Sequence, residues 1–143
     1  MKKLSILIID DSDMDCYLLK RELEYIECEA TIVEKSNGVE ALAFFKQHET
    51  NRRLYGDDFP PLLVFLDINM PLMDGKRFLQ EYEKLLHDNP ELESSNIIMF
   101  TSSKNPQDIE ASKKYNFVKG YLVKGQYTED ELKAVIFSLL SPC

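Results

Sequence analysis

Two short apolar runs in this chain end in aspartate: Leu4–Ile9 leads into Asp10 and Asp11, and Leu62–Leu66 into Asp67. Two more end in other polar groups, Ile97–Phe100 in Thr101 and Ser102, and Lys119–Val123 in Lys124. In an open α/β sheet, ligands bind outside the carboxyl ends of the strands, near the point where strand order reverses. If the four runs are such strands, three carboxylates, a hydroxyl and an ammonium share one edge. Two carboxylates roughly 4 Å apart repel by about 4 kcal/mol at an effective dielectric near 20. Such a cluster takes up a proton or binds a cation. A few oxygen donors suit Mg2+, which keeps several waters and bridges carboxylate to phosphate. A metal there neutralises charge as a phosphoryl group moves to a carboxylate oxygen, a recognised covalent acceptor. Lys124 is placed to pair with phosphate oxygens and Thr101 to hydrogen-bond one. Singly, these residues also suit blander roles: Asp10, Asp11 and Thr101 as caps, Asp67 as a turn residue, Lys124 as a solvated lysine. The joint pattern carries the signal.

The elements that must position these groups follow from periodicity. Leu4–Ile9 is apolar and β-branched, as expected of a strand buried on both faces. Ser12 and Asp15 open a helix whose Cys16, Leu19, Leu23 and Ile26 fall on one face. Ala30–Val33 forms a second strand, and Asn37 with Glu40 caps a second helix including Val39, Leu42 and Phe45. A polar loop is expected from about Glu49 to Pro61. Leu62–Leu66 is the third strand, and a helix from Gly75 to about Leu86 turns Phe78, Tyr82 and Leu85 inward. After a second polar stretch comes the fourth strand, Ile97–Phe100, and Asn105-Pro106 then starts another helix. Lys119–Val123 makes the fifth strand. Thr128 and Glu131 form a capping box for a last helix carrying Leu132, Val135, Ile136, Leu139 and Leu140. Five alternations of strand and helix imply a doubly wound parallel sheet with helices on both faces, and one domain over residues 1–143 with no output domain.

Composition narrows the partners. A formal charge of -8 disfavours nucleic acid, whose binding needs clustered Lys and Arg. No apolar run is long enough to span a bilayer. The three cysteines, Cys16, Cys28 and Cys143, lack metal-ligand spacing and fit free thiols in a reducing cytoplasm. Asp11, Asp13, Asp15 and Glu22 imitate a calcium-binding EF-hand loop, but Cys16 stands where that loop needs glycine.

The segment Asp67-Ile68-Asn69-Met70-Pro71-Leu72-Met73-Asp74-Gly75 resembles the phosphoacceptor motif of two-component response-regulator receiver domains, and Asp10-Asp11, Thr101, Tyr121 and Lys124 fall at the matching points. The resemblance implies a flavodoxin-like five-stranded sheet of order 2-1-3-4-5. It implies that Asp67 is phosphorylated by a sensor histidine kinase or a histidine phosphotransfer protein. Asp11 and Asp67 would ligate Mg2+ directly, Asn69 through its carbonyl and Asp10 mainly through water. Thr101 and Lys124 would contact the phosphate, and Thr101 with Tyr121 would form the switch, read out on roughly residues 106–140. Output would be binding of a downstream protein or a change in self-association, as a homodimer. Such a domain catalyses only its own phosphorylation and dephosphorylation. The family usually has proline after the lysine, often after a cis bond. Here Gly125 follows, which leaves the peptide geometry at Lys124-Gly125 open. Two other functions compete with this reading: a docking module that never takes phosphate, and an aspartate-nucleophile phosphatase, whose spacing Asp11 and Asp13 imitate.

Overall fold

The alternation of apolar residues along the central strands assigns them to two separate cores. A computed structural model describes residues 2–26 and 28–139. Strand β1 (Lys2–Ile9) sends Leu4, Ile6 and Ile8 to one face and Leu7 and Ile9 to the other. Strands β2 (Cys28–Lys35), β3 (Leu63–Leu66), β4 (Asn96–Thr101) and β5 (Val118–Val123) complete one parallel sheet of order β2-β1-β3-β4-β5. The first face is covered by helices α1 (Asp13–Glu24) and α6 (Glu129–Leu139), through Cys16, Leu19, Leu23, Leu132 and Ile136. The opposite face is covered by α2 (Gly38–Lys46) and α4 (Gly75–Asp88), which contribute Phe44, Phe45, Phe78 and Tyr82. The predicted fold class is the observed one. Among the described residues no helix is long and apolar enough to cross a membrane. Leu140 and Cys143 lie outside the described residues, and so does the side chain of Cys28. Cys16 is buried and free, and burial pushes its thiol up to about 12, which keeps it protonated and unreactive.

Two details depart from the sequence reading. The stretch after α2 is not all loop: His48–Tyr55 forms helix α3, followed by a 3-10 turn at Gly56–Asp58. Its only buried residue is Asn51, so it has no apolar stripe to read. A polar anchor holds it instead, Asn51 Nδ2 donating to the Phe44 carbonyl at 2.7 Å, with Tyr55 edge-on to Phe44. Within α2 the inward stripe runs through Gly38, Ala41, Leu42 and Phe45, while Val39 is exposed. The polar stretch before β4 contains a second 3-10 turn, Pro90–Leu92, whose Leu92 is fully buried. The remaining helix, α5 (Pro106–Lys113), is capped by Asn105, whose side chain accepts from the Gln107 N–H. The Thr128–Glu131 capping box forms as expected.

Glycines fix the long loop between β3 and α4 from two sides. Gly38 N–H donates to the Met73 carbonyl at 3.0 Å, and a Cβ on Gly38 would lie 2.8 Å from that oxygen. Gly75 N–H donates to the Ile68 carbonyl at 2.8 Å, and a Cβ there would lie 2.3 Å from the Asp67 carbonyl oxygen. Gly75→Ala gains helix propensity of at most about 1 kcal/mol. Overpacking against backbone costs about 1–3 kcal/mol and wins. The expected outcome is a net loss of about 1–2 kcal/mol in urea denaturation, with Asp67 displaced. Unchanged stability would show that the loop yields freely.

Candidate functional site: a carboxylate cluster gripped by one lysine

Strand order brings the predicted residues together. The reversal point lies between β1 and β3, whose ends are in register at Ile9 and Leu66. Asp67 N–H continues that ladder onto the Ile9 carbonyl, and Asp10 N–H bonds Lys35 on the other side. Carboxylate oxygens of Asp10, Asp11 and Asp67 consequently lie within 4.8 Å of one another, Asp10 and Asp67 buried and Asp11 exposed. One ladder further, Lys124 N–H donates to the Thr101 carbonyl at 2.9 Å, so the lysine leaves the end of β5 facing the same edge. Its Nζ reaches Asp10 Oδ2 at 2.7 Å, Asp15 Oδ2 at 2.8 Å and Asp67 Oδ2 at 3.2 Å. Among the described residues the single cis peptide is Phe59–Pro60, so Lys124–Gly125 is trans. Gly125 adopts φ 76°, a left-handed conformation that glycine takes without steric cost.

The electrostatics fit a cation. Burial pushes the Asp10 carboxyl above its ordinary value; Lys124 and the Ser12 N–H pull the other way, and Asp67 adds to the rise. Burial alone would lower the Lys124 ammonium, but Asp10, Asp15 and Asp67 outweigh it and hold its pKa above the usual lysine range. Asp10 Oδ1 accepts from the Ser12 N–H at 2.9 Å. Its Oδ2 is buried and meets Lys124 as an ion pair at 2.7 Å, without a directed hydrogen bond. A buried carboxylate oxygen left in that condition, beside two further carboxylates, is a donor set matched to a divalent metal.

The predicted switch residues are linked indirectly. Thr101 is fully buried and its Oγ1 accepts from the Ser103 N–H at 3.3 Å. Tyr121 is half-buried and packs on the core, with its hydroxyl donating to the Ser103 carbonyl at 2.9 Å. Burial raises the Tyr121 pKa and keeps that hydroxyl a donor. Ser103 Oγ in turn donates to Asp108 on α5, and Lys76 at the start of α4 ion-pairs with the same carboxylate. Asn69 is exposed two residues beyond Asp67. Sequence reasoning missed Ser103 and assigned Asp15 to the helix start alone. Asp15 lies 109 residues from Lys124 in the chain, so only the assembled sheet brings them together. For Ser103 the available signal was its position two residues past Thr101 on the same strand-end loop.

Known proteins show the same pattern. A family model for the response regulator receiver domain matches residues 6–137. Response regulator Rcp1 of Synechocystis is 30% identical over 130 residues, covering 91% of this chain and 82% of that protein. The crystal structure of the Mn(2+)-bound form of Rcp1 matches with a TM-score of 0.72 at 28% identity, over 98% of this chain and 97% of that one. The phosphorylated cyanobacterial phytochrome response regulator RcpA matches with a TM-score of 0.71 at 25% identity, over 93% and 89%. The family match runs from β1 into α6 and takes in all five strands. This chain is a response regulator receiver domain, a member of the two-component signalling proteins.

Proposed function

We propose that the domain accepts a phosphoryl group on Asp67 from the histidine of a sensor kinase or a phosphotransfer protein, and changes its protein contacts as a result. The observation that carries this reading is the ammonium of Lys124, 3.2 Å from Asp67 Oδ2 and set among carboxylates at the carboxyl edge of the sheet. Asp67 Oδ1 accepts from the Ile68 N–H at 2.8 Å, which holds the carboxylate in one orientation. A carboxylate oxygen of Asp67 forms the new bond to phosphorus while the phosphorus–nitrogen bond of the donor breaks. Lys124 exchanges its contact with Asp67 for one with a phosphoryl oxygen, and the Thr101 hydroxyl hydrogen-bonds another. Asp11, Asp67 and the Asn69 carbonyl would hold Mg2+ directly and Asp10 mainly through water, and the ion would supply charge neutralisation for the transfer when bound. Drawing Thr101 toward the phosphoryl group pulls on Ser103, and through it on Tyr121 and Asp108. That relay carries the change to α5, β5 and α6, the surface a downstream protein reads in the cytoplasm. The domain acts on no other substrate.

The test is intact-mass spectrometry after incubation with acetyl phosphate and Mg2+. A gain of one phosphoryl group is expected, mapping to the peptide that contains Asp67 and abolished by EDTA. Labelling that ignores the chelator, or none on a folded protein, overturns the proposal and leaves a docking module.

A further inference from the structure

Resting on that phosphoacceptor reading, we infer that Asp15 is a positioning residue that competes with the phosphoryl group for Lys124 and so sets how tightly the domain holds a phosphorylated state. An ammonium has three N–H donors. Directed hydrogen bonds run from Lys124 Nζ to Asp15 Oδ2 at 2.8 Å and to Asp67 Oδ2 at 3.2 Å, while Asp10 Oδ2 lies 2.7 Å away without such a bond. Asp15 is the shorter of the two directed contacts. It is also the one carboxylate touching Lys124 that stands outside the cluster of Asp10, Asp11 and Asp67. A divalent cation in that cluster gives Asp10 and Asp67 a new partner and loosens their hold on Lys124. Asp15 gains no such partner, so the lysine stays drawn toward α1. A phosphoryl oxygen must then win Lys124 from Asp15.

The helix fixes this competitor firmly. Ser12 Oγ accepts from the Asp15 N–H, so the capping bond that starts α1 runs through the backbone of Asp15 and leaves its carboxylate free for Lys124. The Phe100 ring, its centroid 5.6 Å from Lys124 Nζ, adds a cation–π contact to the same ammonium. Counting Asp10, Asp11, Asp15 and Asp67 against Lys124, the formal charge is -4 + 1 = -3. Removing the Asp15 charge thus has opposite consequences for a cation and an anion at this edge.

Beryllium trifluoride, an anion that becomes tetrahedral when a carboxylate oxygen coordinates it and so stands in for a phosphoryl group, tests the role at saturating Mg2+. Asp15→Asn keeps the shape of the side chain and the capping bond. Its affinity for beryllium trifluoride is expected to rise about 5- to 10-fold, with Mg2+ affinity equal or slightly weaker. Asp13→Asn, which removes the same charge from an exposed site on the same turn, is expected to change anion affinity less than 2-fold. In a Lys124→Met background the gain from Asp15→Asn should vanish, as a double-mutant cycle requires of a role exerted through the lysine. Equal affinity in Asp15→Asn and the unsubstituted protein overturns the role of Asp15 alone, as does an equal gain in Asp13→Asn or one that survives in Lys124→Met. No binding to the unsubstituted protein overturns the phosphoacceptor reading, and the role of Asp15 with it.

Discussion

Lys124→Met should lower the stability of the metal-free protein by about 3 kcal/mol and at the same time tighten its binding of Mg2+ about 10-fold. The side chain of Lys124 is 12% exposed and those of its partners Asp10 and Asp67 are 1% and 9% exposed, so water cannot screen the carboxylates left behind. Breaking a buried ion pair from one side costs about 3–5 kcal/mol. The lower end applies because Asp10, already inclined to hold a proton, can neutralise itself, and because Asp15 is one-third exposed. Methionine retains most of the aliphatic stem packed near Phe100, which limits the lost packing. A divalent cation then replaces the missing charge, so Mg2+ should restore most of the loss by mass action. Urea denaturation in EDTA and in Mg2+, with calorimetric titration of the metal, measures both halves. Equal stability in EDTA, or weaker metal binding, would show that the lysine is a bystander to the cluster.

Asp67→Asn is expected to eliminate the phosphoryl adduct entirely while making the metal-free fold more stable by about 1 kcal/mol. A neutral amide offers no carboxylate oxygen to bond phosphorus. Its oxygen is also a weaker ligand for a hard cation, so Mg2+ affinity should drop about 10-fold or more. The gain in stability follows from the balance of charges at that point. Asp67 sits within 4.8 Å of two other carboxylate oxygens and makes its ammonium contact at 3.2 Å, longer than those of Asp10 and Asp15. Repulsion from two neighbours exceeds attraction to one shared cation. Function and stability thus move in opposite directions, the pattern expected of a site kept for chemistry. Labelling at full stoichiometry in the variant would sink the assignment of Asp67.

What could be read from the sequence divides along physical lines. Strand-end groups were legible because a strand buried on both faces is a bare apolar run, and the first polar residue after it marks the carboxyl edge. Asp10, Asp11, Asp67 and Lys124 were found in that way and converge as expected. Helices α1 and α6 were legible from their apolar stripes: Cys16, Leu19, Leu23, Leu132 and Ile136 are buried, and Val135 and Leu139 partly so. Helix α3 was not, because it is attached by an amide hydrogen bond from Asn51 and ring contacts of Arg52 and Tyr55, none of which has a period. The role of Gly38 against Met73 and of Asp15 against Lys124 depends on distant segments meeting, which no local pattern announces.

Four hydrogen bonds converge on Ser103: its N–H to Thr101, its carbonyl from Tyr121, and its hydroxyl to Asp108 and from the Asn105 N–H. At about 1 kcal/mol net for each, a loop that exchanges all of them together has its alternative arrangement about 4 kcal/mol uphill. That corresponds to a resting occupancy on the order of one molecule in a thousand. A switch of the kind proposed above, built this way, would be silent by default. Its background output would be bounded by the strength of one serine's attachments, and weakening any of them would raise the noise floor before it altered the response to phosphate.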